Sequence, residues 1–183
     1  MIFSDPISQE GLVGGGAHEE RNTQQNPVRI ERIKQMTLGS APKDIYILDA
    51  GCGFGWFIKD LKDAGFQNVD GWDAYNPEYE RLPEKDKYHL ITCVEMIEHC
   101  SAPYAEIDVI YRSLKKGGVA YIETGFLNAG WEDGIEDEAN PYINPDAGHS
   151  TIWTHHAIDI AFMKRGFTVI QKINRHCHLY MKK

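Results

Sequence analysis

The segment ILDAGCGFGW, residues 47–56, runs a short apolar stretch into Asp49, sets glycine at 51, 53 and 55, and ends on Trp56. Few folds accommodate such a text. It reads as a buried strand, then a turn whose glycines let a ligand approach the backbone closely, then a helix over GWFIKDLKDAG with Phe57, Ile58, Leu61 and Ala64 inward. NVDGWDAY follows as a second strand. After NPEYERLPEKDK the alternation resumes with the strand YHLITCV, a helix from about Ala102 to Leu114, a turn at Gly117-Gly118 and the strand VAYIETGF. A long loop over 128–154 leads to the helix HHAIDIAFMKR, stopped at Gly166, and to the strands FTVIQKI and HCHLYMK, whose short connection suits an antiparallel pair. The rhythm predicts an α/β fold built on a mostly parallel sheet.

Upstream, NPVRIERIKQM reads as a helix that docks on this core, with Asn26 able to cap it, Pro27 in its first turn, and Ile30 and Ile33 on one face. Residues 1–25 are polar and glycine-bearing, a composition that buries little, and read as a flexible segment able to close over a site. A chain of 183 residues, 42% hydrophobic, supports one sizeable core, so residues 26–183 read as a single domain.

Charge narrows the partners. The chain carries 19 Lys+Arg against 27 Asp+Glu, a formal charge of −8, and WEDGIEDEANP concentrates acids that would repel phosphate backbones and anionic lipid. No nucleic acid partner is expected, and no apolar run approaches the roughly 20 residues of a membrane span. Cys52, Cys93, Cys100 and Cys177 lack CxxC spacing and follow no signal peptide, which points to a soluble, cytoplasmic protein without a disulfide framework or zinc knuckle. A homodimer is left open.

The glycine loop falls between the first strand and its helix, at the carboxyl edge of the sheet, where open α/β folds bind ligands. A dinucleotide fingerprint wants GxGxxG, but here Trp56 holds the last position and Gly55 comes one step early. Gly51, Gly53 and Gly55 behind Asp49 fit instead a nucleoside ligand without a pyrophosphate. Asp73, some twenty residues on at the end of the second strand, is placed to accept the ribose hydroxyls; Asp70 sits earlier, inside the strand. The plainer alternative makes the glycines a tight turn and Asp73 a helix cap.

ILDAGCGFG, VDGWDAYNP, YHLITCVEMIEH and LKKGGVAYIETG together resemble the class I S-adenosylmethionine-dependent methyltransferases, of the methyltransferase-23 type, over roughly residues 26–181. The resemblance implies a Rossmann-like sheet with an antiparallel last strand and a methyl donor at the glycine loop. Only fourteen residues separate Asp73 from Tyr88, so the third-strand region, and with it one wall of the adenine pocket, is abbreviated.

EMIEH, Glu95 to His99, ends the next strand, and its two carboxylates and imidazole can converge on magnesium, manganese or zinc once the chain turns, with His149 a fourth ligand. The segment is similar to that of ubiquinone-biosynthesis O-methyltransferases and of small-RNA 2′-O-methyltransferases, and the latter resemblance implies a metal on Glu95, Glu98, His99 and His149. NPVR resembles the helix start of the former and implies that Arg29 meets the donor's methionine carboxylate. The donor site so drawn comprises Arg29, Asp49, Gly51, Cys52, Gly53, Asp73, Ala74, Tyr75, Val94 and Glu95, and the reacting end comprises His99, as base, with Glu98. The plainer alternatives make Glu98 and His99 hydrogen-bonding groups at a helix start and His149 a loop anchor. His155, His156, His176 and His178 receive no role, and Trp56, Phe57, Trp72 and Trp153 read as core or pocket wall.

These observations lead to methyl transfer to a small hydroxylated or sugar-like acceptor. A donor-binding accessory module without catalysis is the second reading, and an NAD-dependent oxidoreductase the third.

Overall fold

The computed structural model describes residues 21–127, 143 and 148–183. Most of the expected N-terminal flexible segment, and most of the 128–154 loop with Trp131, Ile135 and the acidic run, lie outside the described residues.

The chain runs α1 (Asn26–Met36), β1 (Tyr46–Ala50), α2 (Trp56–Asp63), β2 (Asn68–Trp72), β3 (Tyr88–Val94), α3 (Pro103–Ser113), β4 (Leu114–Glu123), β5 (Phe126–Leu127), β6 (Trp153–Thr154), α4 (His155–Met163), β7 (Phe167–Asn174) and β8 (Cys177–Lys182). Six strands form one sheet in the order β2-β1-β3-β4-β8-β7. The first four pair in parallel, and β8 is antiparallel to both β4 and β7. The abbreviation read from the sequence is visible as an edge: no described strand or helix lies between β2 and β3, and β2 ends the sheet.

Alternation along the central strands builds two cores. Leu48, Ala50, Ile91 and Cys93 pack on one face with Ile107, Ile110, Ile158 and Phe162 of α3 and α4. Ile47 and Leu90 pack on the other with Ile33, Ile58 and Leu61 of α1 and α2. Because both faces are covered, β1 and β3 are buried almost throughout, as central parallel strands must be.

Local chemistry explains the departures from expectation. Asn26 does not cap α1: Gln25 holds that position after a wide helical turn over Arg21–Gln25, and the Asn26 side chain is drawn inward to Arg29 and Asp60. The turn at Gly117-Gly118 sits within β4, where the partner of Tyr88 is Leu114 and that of Leu90 is Val119, so the intervening residues bulge. A small parallel pair, β5 with β6, was not legible in the sequence because each strand has two residues. Trp72 and Trp153 are core residues, whereas Trp56 is exposed at the start of α2. Among the described residues no helix is long and apolar enough to cross a membrane.

Candidate active site

The glycine loop leaves β1 at the carboxyl edge and is held by two other segments. Gly51 donates its N–H to the Trp72 carbonyl at 2.7 Å, and Gly53 donates to Asp73 Oδ2 at 2.8 Å. The Asn76 amide returns a bond to the Gly53 carbonyl at 2.7 Å, so DAYNP braces the loop from the end of β2. Gly51 lies at φ 74°, and a Cβ there would stand 2.5 Å from the Met96 Cβ. Gly53 also has a positive φ, 54°, but a Cβ on it meets nothing within 4 Å.

The two positions therefore separate strain from overlap. Gly53→Ala should lower the free energy of unfolding by about 1 kcal/mol, the left-handed backbone term alone. Gly51→Ala should lower it by about 2–4 kcal/mol, because Met96 must also move. Urea titration of the two variants checks this, and equal losses would remove the Met96 contact from the explanation.

Asp49, at the end of β1, is buried and accepts the Thr92 hydroxyl at 2.7 Å. Burial pushes its carboxyl up to about 7, against the opposing pull of Thr92 and nearby Arg29. A positive ligand beside it would favour the ionised form. Cys52, within the loop, is buried.

Asp73 stands just past β2. Its Oδ1 accepts the Tyr75 N–H at 2.8 Å while Oδ2 takes that of Gly53, leaving lone pairs on both oxygens for a diol. Asp70 is differently occupied: inside β2, it accepts the Tyr88 hydroxyl at 2.9 Å and pairs with Lys87 at 2.8 Å. Ala74 and Tyr75 are exposed beside Asp73. Val94 closes β3, and Glu95 follows at φ 51° with its N–H on the Glu123 carbonyl at 2.8 Å, a left-handed non-glycine residue where the strand turns.

Arg29, on α1, is 3% exposed. Its guanidinium binds Glu123 through Nε and Nη2, Asn26 through Nη1 at 2.9 Å and Gln25 through Nη2 at 2.8 Å. Four of its five N–H groups are thereby spent, and one on Nη1 remains. Glu123 also accepts the Tyr121 hydroxyl at 2.7 Å. Burial alone would raise the Glu123 carboxyl, but the Arg29 hydrogen bonds more than reverse this and hold it below the ordinary value. Glu123 and Asn76 are residues that sequence reasoning missed; each lies inside a quoted motif, but nothing in spacing pairs it with its partner.

EMIEH makes the turn after β3. Glu98 is 1% exposed, and its Oε2 accepts the Thr124 hydroxyl at 2.9 Å. The Glu98 backbone carbonyl accepts the N–H groups of Ser150 and Thr151, both at 2.9 Å, which fastens the segment before β6 to the turn. His99 Nδ1 meets the Gly148 carbonyl at 3.2 Å, and its ring lies edge-on to His149 with centroids 4.8 Å apart. One ligand atom from each of Glu98, His99 and His149 lies within 4.8 Å of the others. Glu95, expected from the sequence as a further ligand, is not among the three residues so brought together.

A family model described as a methyltransferase domain matches residues 22–172. A ubiquinone biosynthesis O-methyltransferase of Hydrogenovibrio crunogenus is 30% identical over 122 residues, 54% of this chain and 49% of its own. That of Pseudomonas savastanoi pv. phaseolicola is 29% identical over 121 residues, 54% and 51% of the two chains. The chain thus spans about half the length of the curated relatives it matches. Among solved structures, an S-adenosylmethionine-dependent methyltransferase of Archaeoglobus fulgidus superposes with a TM-score of 0.59 at 16% identity, over 85% of this chain and 75% of that one. One from Mesorhizobium loti gives 0.58 at 13% identity, over 84% and 98%. At such identities the likeness is one of fold, and it agrees with the family match, which covers most of the sequence. The chain belongs to the methyltransferase domain family whose model it matches over residues 22–172.

Proposed function

We propose that the protein transfers the methyl group of S-adenosylmethionine to a hydroxyl oxygen of a small polar acceptor. One observation carries the reading: Met96, two residues before Glu98, packs on Gly51, so the donor loop and the Glu98, His99, His149 cluster share a wall. Asp73 would take the ribose hydroxyls, with Ala74 and Tyr75 beside the adenine. The backbone of Gly51, Cys52 and Gly53 would line the donor, with Asp49, Val94 and Glu95 around its methionine end. Arg29 would offer the donor carboxylate its remaining N–H.

Transfer from a sulfonium is an in-line displacement, so alignment does most of the work, and a group must take the hydroxyl proton. His99 Nδ1 donates to the Gly148 carbonyl, which puts the ring's lone pair on Nε2, the nitrogen that would accept that proton or bind a cation. The cluster's one carboxylate and two imidazoles fit a divalent ion, and their nitrogen content suits zinc or manganese better than magnesium. Such an ion, when bound, makes a hydroxyl more acidic. The relatives' name points to quinone precursors, but WEDGIEDEANP supplies acids where a membrane-seeking segment would be apolar. A polar, sugar-like acceptor suits it better, and a cytoplasmic location accords with that.

Calorimetric titration with S-adenosylhomocysteine and with NAD, before and after chelation, tests the reading. The homocysteine nucleoside should bind and NAD should not, with chelation leaving donor binding intact. Folded protein that fails to bind it would overturn the proposal. Binding without transfer to any of a panel of hydroxylated compounds would favour the accessory module.

A further inference from the structure

On α4 and β8 the fold assembles a second polar group to which the proposed methyl transfer gives no role. Asp159 on α4 and His178 on β8 are buried. Asp159 Oδ1 accepts the Tyr180 hydroxyl at 2.8 Å and meets His178 Nδ1 at 3.0 Å, while Oδ2 pairs with Lys172 at 2.8 Å. The far nitrogen of His178, Nε2, meets His155 Nδ1 at 2.8 Å.

These contacts fix the protons. An ionised Asp159 only accepts, and the Tyr180 hydroxyl, 3.0 Å from His178 Nδ1, spends its hydrogen on the same Asp159 oxygen, so His178 carries its hydrogen on Nδ1 and accepts on Nε2. His155 must then carry its own hydrogen on Nδ1, and its lone pair stands on Nε2. That nitrogen makes no hydrogen bond with a described residue, and the ring is half-exposed. The two imidazoles lie within 11° of parallel with centroids 5.0 Å apart, and Phe126 lies against His155 at 4.5 Å and His178 at 4.7 Å, which locks both rings. Burial, reinforced by Lys172, holds His155 below its ordinary pKa against the pull of Asp159. His176 adds to that lowering, so the ring is neutral near pH 7.

The same segments that wall the cluster lead to this ring. Thr124, which bonds Glu98, precedes Phe126 by two residues, about 7 Å of extended chain. Ser150 and Thr151, fastened to Glu98, run through β6 into His155 at the start of α4. A cation on the cluster would occupy His99 Nε2 and leave the acceptor proton without a recipient there.

We propose that His155 is a second base at the acceptor end of the site, with His178 and Asp159 as its positioning residues. The proposal rests on the hydroxyl-methylation reading. The O–H bond breaks and its electron pair forms the new O–CH3 bond. The S–CH3 pair stays on sulfur, and the proton goes to His155 Nε2, then to water. The sulfonium charge is thereby replaced by an imidazolium charge, which strengthens the His155 to His178 hydrogen bond.

Imidazole 15N–1H correlation spectra of the full chain read the tautomers directly. Wild type should show both rings protonated on Nδ1 and His155 Nε2 bare. Asp159→Asn can donate to His178 Nδ1, which reverses the chain and puts a proton on His155 Nε2. A wild-type His155 protonated on Nε2 overturns the proposal. The functional arm adds 4-nitrophenol, whose anion is coloured, to protein loaded with S-adenosylhomocysteine. The bound phenol should ionise about tenfold more readily on wild type than free in solution, a gain that both His155→Gln and Asp159→Asn abolish. No gain on wild type, or one that survives in His155→Gln, overturns the base. Failure of S-adenosylhomocysteine to bind overturns instead the methyl-transfer reading.

Discussion

Arg29→Met lowers the free energy of unfolding by at most about 3–5 kcal/mol, because it leaves the Glu123 carboxylate, whose side chain is only 13% exposed, without the cation it pairs with. The loss comes from the abandoned partner more than from the pair itself, since burying two charges costs about as much as their attraction returns. Arg29→Met combined with Glu123→Gln should therefore regain a large part of the stability that the single variant loses, a coupling readable in urea titrations of the four proteins. The pH dependence follows from the direction of the Glu123 shift. Its folded-state pKa is depressed, so its contribution is complete above the ordinary carboxyl value of about 4.3 and is lost as pH falls through the lower folded value. The gap between wild type and Arg29→Met should be full at neutral pH and narrow on acidification. The double variant also isolates the donor role. If S-adenosylhomocysteine affinity recovers with stability, Arg29 serves only to seat α1; if affinity stays low in a stable protein, the remaining Nη1 hydrogen meets the donor carboxylate.

The contrast between Arg29 and its neighbours shows where sequence reading reaches its limit. The sheet was legible because burial on both faces forces continuous apolar runs in β1 and β3, and the missing edge could be counted from the residues between Asp73 and Tyr88. The preference for Asp73 over Asp70 rested on position relative to the strand end, and the structure finds Asp70 tied to Tyr88 and Lys87 while Asp73 braces the glycine loop. Partners distant in the chain were not legible. Glu123 meets Arg29 only because β4 ends beneath α1, and Thr124 meets Glu98 only because β3 and β4 are adjacent. His155 and Asp159 lie four apart on a helix, and His178 and Tyr180 two apart on a strand; each pair shares a face, but only the packing of α4 on the sheet joins them. Tertiary pairing of polar side chains leaves no periodic trace, unlike the apolar pattern that sets the fold.

His99→Ala should abolish methyl transfer, a fall of about 10²–10⁴-fold, while S-adenosylhomocysteine affinity changes by only a few-fold. The separation is expected because His99 contacts Gly148 and His149, whereas Asp73, the proposed ribose acid, bonds Gly53 of the glycine loop. Two companion measurements assign the loss. If His99 is itself the base, chelation leaves wild-type turnover intact, and the rising limb of the pH–rate profile disappears in the variant. If it is a ligand, chelation reproduces the variant, and bound metal falls in His99→Ala, His149→Ala and Glu98→Gln alike. Glu98→Gln is the informative member of that set, since the amide keeps an oxygen that can still accept from Thr124 and so spares the packing while weakening the cation site. In the ligand case the proton must leave by another imidazole, and the effect of His155→Gln on turnover becomes as large as that of His99→Ala. Full activity in His99→Ala would remove both roles and place the reacting end elsewhere on the carboxyl edge.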